Sequence, residues 1–198
     1  MADVLIVDSG GANLASLQFA LERLGARSRI SSDAAELSAA QRVILPGVGS
    51  APHAMQRLNS LGLTDVLPAL TCPVLGICLG MQLLFERSDE GPAQCLGVMP
   101  GAVHRLQAAR GMPVPHMGWN QLAALEDDPL LADVSCGEYV YFVHSFAVPV
   151  GATTLAIAQY GSPLTAVARR GNFWCTQFHP ERSAAVGARI LRNFLRVQ

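Results

Sequence analysis

The sequence predicts an α/β fold with an open, mostly parallel central sheet flanked by helices, and a more antiparallel, β-rich C-terminal half. Short, largely apolar runs at Val4–Val7, Arg42–Leu45 and Val74–Ile77 each precede a helical pattern, an alternation typical of parallel sheets covered on both faces. After about Ser88, glycines, prolines and short strand patterns dominate instead. A length of 198 residues suits one compact domain and is short for two, so we expect a single domain over residues 1–198.

The first half is predicted to consist of strand–helix units. Leucines at helical spacing between positions 14 and 24 predict the first helix, for which Asn13 could be the N-cap and Gly25 the stop. Helices are also predicted over roughly Pro52–Leu61, after the second strand, and over Leu79–Arg87, after the third.

The second half is predicted to contain short strands joined by turns. Arg170-Gly171-Asn172 is typical of a hairpin turn and leads into a strand over Phe173–Gln177. The chain closes with an amphipathic helix over Ser183–Val197, for which Ser183 could be the cap. Five strand patterns precede the hairpin: Ala102–Leu106, Trp119–Leu122, Tyr139–Phe146, Thr154–Ala158 and Thr165–Arg169.

Composition and charge narrow the class of protein. Hydrophobic residues make up 51% of the chain and charged residues 15%, and the formal net charge is −1. The high hydrophobic fraction supports a large core. The near-neutral charge and the lack of a basic face argue against nucleic acid as a partner. No apolar run is long enough to span a membrane. The start of the chain resembles a first strand rather than a signal peptide.

The cysteines point to a reducing compartment. There are five of them, an odd number, and none forms a C-x-x-C pair. This pattern argues against a disulfide framework or a thiolate zinc site. We therefore expect a cytoplasmic location and, for all but one cysteine, the role of a small buried hydrophobe.

The exception is Cys78, which lies in the segment Gly76-Ile77-Cys78-Leu79-Gly80 at the end of a strand. Flanking glycines relieve crowding in a tight strand–helix turn, so that the side chain projects above the sheet edge as in a nucleophile elbow. The unpaired amides of the helix start favour a thiolate there, and the amide of Leu79 would point towards an oxyanion. Alone, the motif fits a buried cysteine in a tight turn equally well.

A base for such a nucleophile is offered by Gln177-Phe178-His179-Pro180-Glu181. Proline favours extended geometry in the residue before it, and in an extended segment positions two apart lie on one side. Glu181 could therefore hold and orient the imidazole of His179, as in a nucleophilic triad. A surface turn without chemistry is the alternative, and the elbow cysteine in the same chain favours the triad.

A third element is the loop Pro46-Gly47-Val48-Gly49 after the second strand. Two glycines let a loop present bare amides, which predicts the second half of an oxyanion hole with Val48 as donor and Gly47 beside it. The loop matches no phosphate-binding motif. A thiolate, a base, an orienting carboxylate and an oxyanion hole together predict acyl transfer through a thioester.

These motifs resemble the triad-type, class I glutamine amidotransferases, a family with a flavodoxin-like sheet and a nucleophile elbow. Within that family the chain is similar to the glutaminase subunits of imidazole glycerol phosphate synthase, and the HMGWN segment discriminates best. The similar segments run in order along nearly the whole chain: residues 45–50, 76–82, 115–120, 141–146 and 177–183.

The resemblance implies hydrolysis of L-glutamine to glutamate and ammonia, without a metal or organic cofactor. Cys78 would be the nucleophile, His179 the base and acid, and Glu181 the orienting group. The amides of Val48 and Leu79, beside Gly47, would form the oxyanion hole. The implied glutamine-binding residues are Gln82, Gly49 and the backbone of His144, Ser145 and Phe146. For the imidazole of His144, in an apolar run, a hydrogen-bonded structural role is expected.

The resemblance also implies a partner, a (β/α)8-barrel cyclase subunit that forms a heterodimer with the chain. It would use the ammonia to make imidazole glycerol phosphate and aminoimidazole carboxamide ribotide in histidine biosynthesis. Partner contacts are implied for Asn13, Trp119, Asn120 and Tyr141, although Asn13 could simply cap its helix and both aromatic residues could be core. The first loop departs from the family pattern Asp-Tyr-Gly-x-Gly-Asn at Ser9 and Ala12, which leaves the contacts of this loop open.

Two alternatives remain open on sequence alone. The chain could be a glutaminase subunit for another biosynthetic pathway, against which the HMGWN segment speaks. It could also be a non-enzymatic redox sensor with an elbow cysteine, a class of protein that has no need for His179 and Glu181.

Overall fold

The computed structural model describes residues 3–9 and 14–197. The strands of the described residues are β1 Asp3–Val7, β2 Arg27–Ser31, β3 Val43–Leu45, β4 Val74–Ile77, β5 Arg87–Ser88, β6 Ala93–Gln94, β7 Ala102–Arg105, β8 His116–Leu125, β9 Tyr139–His144, β10 Phe146–Ala147, β11 Thr154–Tyr160, β12 Ser162–Arg170 and β13 Phe173–Thr176. The α-helices are α1 Leu14–Arg23, α2 Ala34–Ser38, α3 Ala51–Ser60, α4 Leu79–Leu83 and α5 Ala184–Phe194, and two 3₁₀ turns span Pro129–Leu131 and Pro180–Arg182.

A nine-stranded mixed sheet forms the centre, in the order β2-β1-β3-β4-β13-β12-β11-β8-β9. The first five strands in this order run parallel, and the remaining ones pair antiparallel. A smaller sheet, β10-β7-β5-β6, lies beside it. The predicted fold class, a mostly parallel sheet followed by a more antiparallel half, is therefore confirmed.

Two hydrophobic layers cover the parallel strands other than the edge strand β2. Along β1, Val4 and Ile6 belong to the layer that contains the buried residues of α1 and α5, whereas Leu5 and Val7 belong to the layer built on α3 and α4. Burial on both faces explains why these strands are continuously apolar rather than alternating. The site residues therefore follow strands that are buried on both faces.

The elements that were not predicted from the sequence are β2, α2, the short strands β5 and β6 and the two 3₁₀ turns, and the first two of these have an instructive cause. The strand reads Arg27-Ser28-Arg29-Ile30-Ser31, and it is polar because it lies at the edge of the sheet and pairs only with β1. Helix α2 begins at the N-cap Asp33, whose side chain accepts a hydrogen bond from the amide of Glu36 at 2.8 Å. An Asp followed three residues later by Glu is a capping signal that could have revealed it.

The predicted helix over Leu79–Arg87 is wrong in length, because α4 ends at Leu83. Carbonyls that a longer helix would use are taken by a later segment: Leu96 donates to Leu83 and Met99 donates to Leu84, both at 2.8 Å. Any electrostatic help for Cys78 therefore comes from the first-turn amides rather than from a long helix dipole.

The prediction that Ser183 is the cap of the last helix is confirmed in position, since Ser183 is the N-cap residue of α5, but its side chain has another role. Its hydroxyl donates to the carbonyl of His179 at 2.7 Å and accepts from the amide of Tyr141 at 2.9 Å, and makes no cap bond to α5. This serine instead joins the His179 segment to β9. The predicted cap Asn13 lies outside the described residues.

In the described part of the chain no helix is long and apolar enough to cross a membrane. The expectation that all cysteines other than Cys78 are buried is confirmed for Cys175 only, because Cys136 is exposed and Cys72 and Cys95 are partly buried.

Candidate active site

Three neighbouring parallel strands end at the same edge of the sheet and carry the predicted site. The loop 46–49 follows β3, Cys78 follows β4, and His179 comes soon after β13. Strands β3 and β13 flank β4 on either side. Such a carboxyl edge is where open α/β sheets place their ligands.

Cys78 occupies a strained turn. Its backbone has φ 53° and ψ −108°, a left-handed φ that non-glycine residues adopt rarely and at a cost of about 1–3 kcal/mol. The next turn of chain leaves no room for a side chain at Gly80, since a Cβ there would lie 1.7 Å from the carbonyl oxygen of Leu45. A Cβ at Gly76 would lie 2.8 Å from Leu84 Cδ1. The Gly-x-Cys-x-Gly pattern is thus a packing requirement of this elbow.

His179 stands between Cys78 and Glu181. Its Nδ1 lies 2.8 Å from Oε1 of Glu181, so Nε2 is the nitrogen that faces the thiol. Burial lowers the pKa of His179, but its hydrogen bonds with the Cys78 thiol and the Glu181 carboxylate outweigh burial and raise the pKa to about 10. An imidazolium between two potential anions can deliver a proton to a departing amine.

The contact between His179 and Glu181 forms as predicted, but the predicted reason is wrong. The backbone is not extended after His179, because Pro180–Arg182 forms a 3₁₀ turn with His179 at its N-cap. The turn brings the carboxylate back to the imidazole. The second oxygen of Glu181 is buried and accepts no hydrogen bond from the described residues, so its charge favours the imidazolium.

The residues predicted for the oxyanion hole lie close to Cys78. Leu79 begins α4 directly after Cys78, and Val48 lines the same cavity as Cys78. Gly47 packs closely against Leu79, since a Cβ there would lie 3.0 Å from Leu79 Cβ. Gly49 has φ +91°, a conformation that favours glycine and turns the loop around Val48.

A cavity of about 440 Å³ opens above Cys78. It is lined by all the predicted catalytic, oxyanion and glutamine-binding residues, namely Cys78, His179, Glu181, Gly47, Val48, Leu79, Gln82, Gly49, His144, Ser145 and Phe146. A volume of this size is in the range of small-molecule sites. The structure therefore brings together every predicted site residue except those of the partner surface.

Comparison with protein families decides what kind of site this is. The family model of class-I glutamine amidotransferases matches residues 5–197. The chain belongs to this family. The resemblance stated from the sequence motifs is thereby confirmed.

Two curated relatives that are similar to this amidotransferase carry the same name. The chain is 56% identical over 195 residues to the "imidazole glycerol phosphate synthase subunit HisH" of Xanthomonas euvesicatoria pv. vesicatoria, with 98% of each chain covered. It is 55% identical, with the same coverage, to the protein of that name from Xylella fastidiosa.

A solved structure supports the fold. The structure of PurLQS from Thermotoga maritima superposes with a TM-score of 0.71 over 98% of this chain and 97% of that chain, at 20% sequence identity. At this identity the likeness concerns the amidotransferase fold alone.

The residues that line or support the amidotransferase cavity but were not predicted from the sequence include Glu90, Gln177 and Ser9. Glu90 lines it, and Oε2 of Glu90 accepts from the amide of Ala51 at 2.8 Å. Buried Gln177 donates to the sulfur of Cys78 across 3.8 Å. Buried Ser9, one of the departures in the first loop, donates to the carbonyl of Pro46 at 2.8 Å and anchors the oxyanion loop. Of these, Gln177 adjoins the His179 motif and Ser9 departs from the family pattern of the first loop, whereas Glu90 had no signal in the sequence.

The residues predicted to contact a partner divide between two faces of β8 and β9. Trp119 and Tyr141 are cross-strand neighbours with ring centroids 5.9 Å apart, and Trp119 is 52% exposed. Met117 and Tyr139 are also exposed on this face of the amidotransferase. The side chain of Asn120 points to the other face, where it donates to the carbonyl of Gln159 at 2.8 Å. Asn13 lies outside the described residues.

His144 makes the hydrogen bonds of a structural histidine. Its Nδ1 lies 2.8 Å from the carbonyl oxygen of Phe146, and its Nε2 lies 2.9 Å from Nδ1 of His116. Burial lowers the pKa of each of the two histidines to about 4, so both are neutral at physiological pH. Among the residues that the structure describes, no group of three or more His, Cys, Asp and Glu is arranged to hold a metal ion.

Proposed function

We propose that this chain is the glutaminase subunit of an imidazole glycerol phosphate synthase and acts as one domain in the cytoplasm. The observation that carries the proposal is the contact of Cys78, His179 and Glu181 in one cavity of a class-I amidotransferase. The 56% identity to a relative named as a subunit of that synthase, over 98% of both chains, supports the choice of pathway.

L-Glutamine matches the polar groups of the cavity. The amide nitrogen of Gln82 donates to the carbonyl of Phe146 at 2.8 Å and to Gln177 Oε1 at 3.0 Å. Both amide protons are thereby used, so the carbonyl oxygen of Gln82 is left to accept from the substrate. The carboxylate of Glu90 offers a counter-charge for the α-ammonium group, and the backbone at Gly49 and at residues 144–146 completes the polar lining.

The first half-reaction forms a thioester. The sulfur of Cys78 attacks the side-chain carbonyl carbon of glutamine, and the negative oxygen that results is held by the amides of Leu79 and Val48. The tetrahedral intermediate collapses as Nε2 of His179 gives its proton to the nitrogen, which leaves as ammonia. Glu181 holds the ring in the orientation that this transfer needs.

The second half-reaction releases glutamate. The neutral imidazole of His179 takes a proton from water, and the hydroxyl attacks the thioester carbon through a second tetrahedral intermediate. The carbon–sulfur bond breaks, and the imidazolium beside the freed sulfur restores the starting state. The same oxyanion amides serve both steps.

Ammonia would then pass to a cyclase subunit docked on the exposed face of β8 and β9. Arg182 lines the cavity and its guanidinium lies 5.9 Å from the ring centroid of Tyr141. Tyr141 in turn contacts Trp119 on the exposed face. The cavity rim and the proposed docking face are therefore continuous.

The proposal is tested with the complex of this chain and its cyclase. We expect Cys78→Ala to abolish glutamine-dependent synthesis, by a factor of about 10⁴ or more, while ammonium salts still support the cyclase. Cys136→Ala, which removes an exposed thiol, is the matched control and should leave both activities unchanged.

Retained glutamine turnover by Cys78→Ala would overturn the nucleophile assignment. Stimulation of the chain by a synthetase of another pathway, and not by the cyclase, would favour that pathway instead. A redox sensor would react with any small alkylating agent at a rate that glutamine does not change.

A further inference from the structure

A row of hydrogen bonds connects β8 to the glutamine cavity through two buried histidines. Nδ1 of His144 lies 2.8 Å from the carbonyl oxygen of Phe146. A carbonyl oxygen can only accept, so Nδ1 of His144 carries the proton and its Nε2 is an acceptor. This bond fixes the tautomer of His144.

The same reasoning fixes His116. Its Nδ1 lies 2.9 Å from Nε2 of His144, which is an acceptor, so Nδ1 of His116 must be the donor. Nε2 of His116 then accepts from the side-chain amide of Asn120 at 3.3 Å. A single arrangement of protons satisfies all three bonds.

The row ends at the group that faces the substrate. The carbonyl of Phe146 accepts from His144 and also from Nε2 of Gln82 at 2.8 Å. The other proton of the Gln82 amide goes to Oε1 of Gln177, and the amide nitrogen of Gln177 approaches the sulfur of Cys78 at 3.8 Å. The position of the Phe146 carbonyl therefore determines where Gln82 presents its oxygen.

We propose that His116 is a positioning residue of the glutamine site, an inference that rests on the proposed function. His116 is 3% exposed and does not line the cavity, so it cannot touch glutamine itself. By donating to Nε2 of His144, it keeps the proton of His144 on Nδ1. His144 then donates to the carbonyl of Phe146, which also accepts the hydrogen bond that positions Gln82. Without a donor at Nδ1 of His116, His144 can carry its proton on Nε2 and turn a lone pair towards the Phe146 carbonyl.

The packing around His116 offers a way to separate this role from space filling. The ring is stacked between Phe142 and Tyr160, with centroid distances of 4.6 and 3.9 Å. A phenylalanine at position 116 keeps an aromatic ring in the stack and removes only the hydrogen bonds. An asparagine there keeps a donor near the position of Nδ1.

The experiment measures kcat and KM for glutamine in the cyclase complex. We expect His116→Phe to raise KM about tenfold, as for loss of one buried hydrogen bond, with kcat within about twofold and ammonium-dependent synthesis unchanged. His116→Asn should restore most of the wild-type KM. Tyr160→Phe is the matched control. It keeps a ring stacked on His116 and removes only the hydrogen bond from the Tyr160 hydroxyl to the carbonyl of Pro113. This variant should leave KM unchanged.

A wild-type KM in His116→Phe, or an equal rise in Tyr160→Phe, would overturn the proposal. ¹⁵N NMR of the wild-type protein provides a test without substitutions, because both His116 and His144 should carry their protons on Nδ1. The opposite tautomer of His144 would contradict the row of hydrogen bonds. Failure of the wild-type complex to hydrolyse glutamine would instead overturn the proposed function, and the tautomers would remain measurable.

Discussion

Gly80 joins the nucleophile turn to the neighbouring strand. Because it lacks a side chain, the start of α4 can lie directly against the carbonyl of Leu45, the last residue of β3. The oxyanion loop begins one residue later, at Pro46. The closeness of Cys78 to the loop of Val48 therefore depends on Gly80, together with the close packing of Gly47 against Leu79.

We expect Gly80→Ala to destabilise the protein by about 3 kcal/mol or more, because its methyl group would overlap the backbone of β3 and neither partner can move easily. Gly151→Ala is the matched control, since a Cβ there meets nothing within 4 Å and the residue has no left-handed φ. Chemical denaturation of both variants gives the free energies of unfolding. Equal stability of the two variants would contradict the close approach of α4 to β3.

At the scale of elements, the ladder of β8 and β9 carries an acid-sensitive pair. His116 and His144 are directly opposite each other, and burial lowers the pKa of each to about 4 from an ordinary value of 6.5. In the unfolded chain both histidines take up protons below about pH 6.5, whereas in the folded chain they stay neutral until about pH 4. Their contribution to stability is therefore complete above pH 6.5 and is lost as the pH falls towards 4.

We expect the free energy of unfolding to fall by about 2 kcal/mol per histidine between pH 7 and pH 5. His116→Phe should lose about 2 kcal/mol less than the wild type over this interval, because it has one histidine fewer to protonate. Denaturant titrations at the two pH values measure the difference. The carboxylates are the same in both proteins, so their effect cancels when the two are compared. If the free energies of unfolding of wild type and His116→Phe fell equally with pH, His116 would be protonated in the folded state.

The elements of the site could be predicted where local chemistry determines them. Strand β4 was predicted with its observed bounds, and its turn to Cys78 followed from the glycines. Strand β2 was not predicted, because this edge strand has no apolar signature. The end of α4 was predicted wrongly because it depends on the segment 95–99, which is distant in sequence from the start of the helix. The roles of Glu90 and His116 were not predicted either, since only the folded chain shows where these residues lie relative to the cavity.

For the whole molecule, the order of strands explains the site. Strand β13 is the last parallel strand and pairs with β4 on one side and antiparallel with β12 on the other. After β4 the chain forms the antiparallel strands, and only then does β13 return to the centre of the sheet. This return places His179 beside Cys78. No local pattern encodes this return, which the sequence indicated only through the pairing of two catalytic motifs.

The antiparallel half also provides the surface at the far edge of the sheet. Strand β9 is the edge strand opposite to β2, and Met117, Trp119 and Tyr139 are 67%, 52% and 54% exposed there. Exposed aromatic residues that cluster on one face are typical of protein interfaces. Their position next to the cavity rim suits a partner that receives ammonia.

We expect Trp119→Ala to weaken binding of the cyclase at least tenfold, because tryptophan at the centre of an interface contributes more than about 1–2 kcal/mol. Asn120→Ala should weaken binding less, since the amide of Asn120 bonds to Gln159 and His116 within the chain. Ile30→Ala, at a 42% exposed position on β2 at the opposite sheet edge, is the control and should bind as the wild type does. Isothermal titration calorimetry of each variant with the cyclase measures the Kd, and an unchanged Kd for Trp119→Ala would place the docking surface elsewhere.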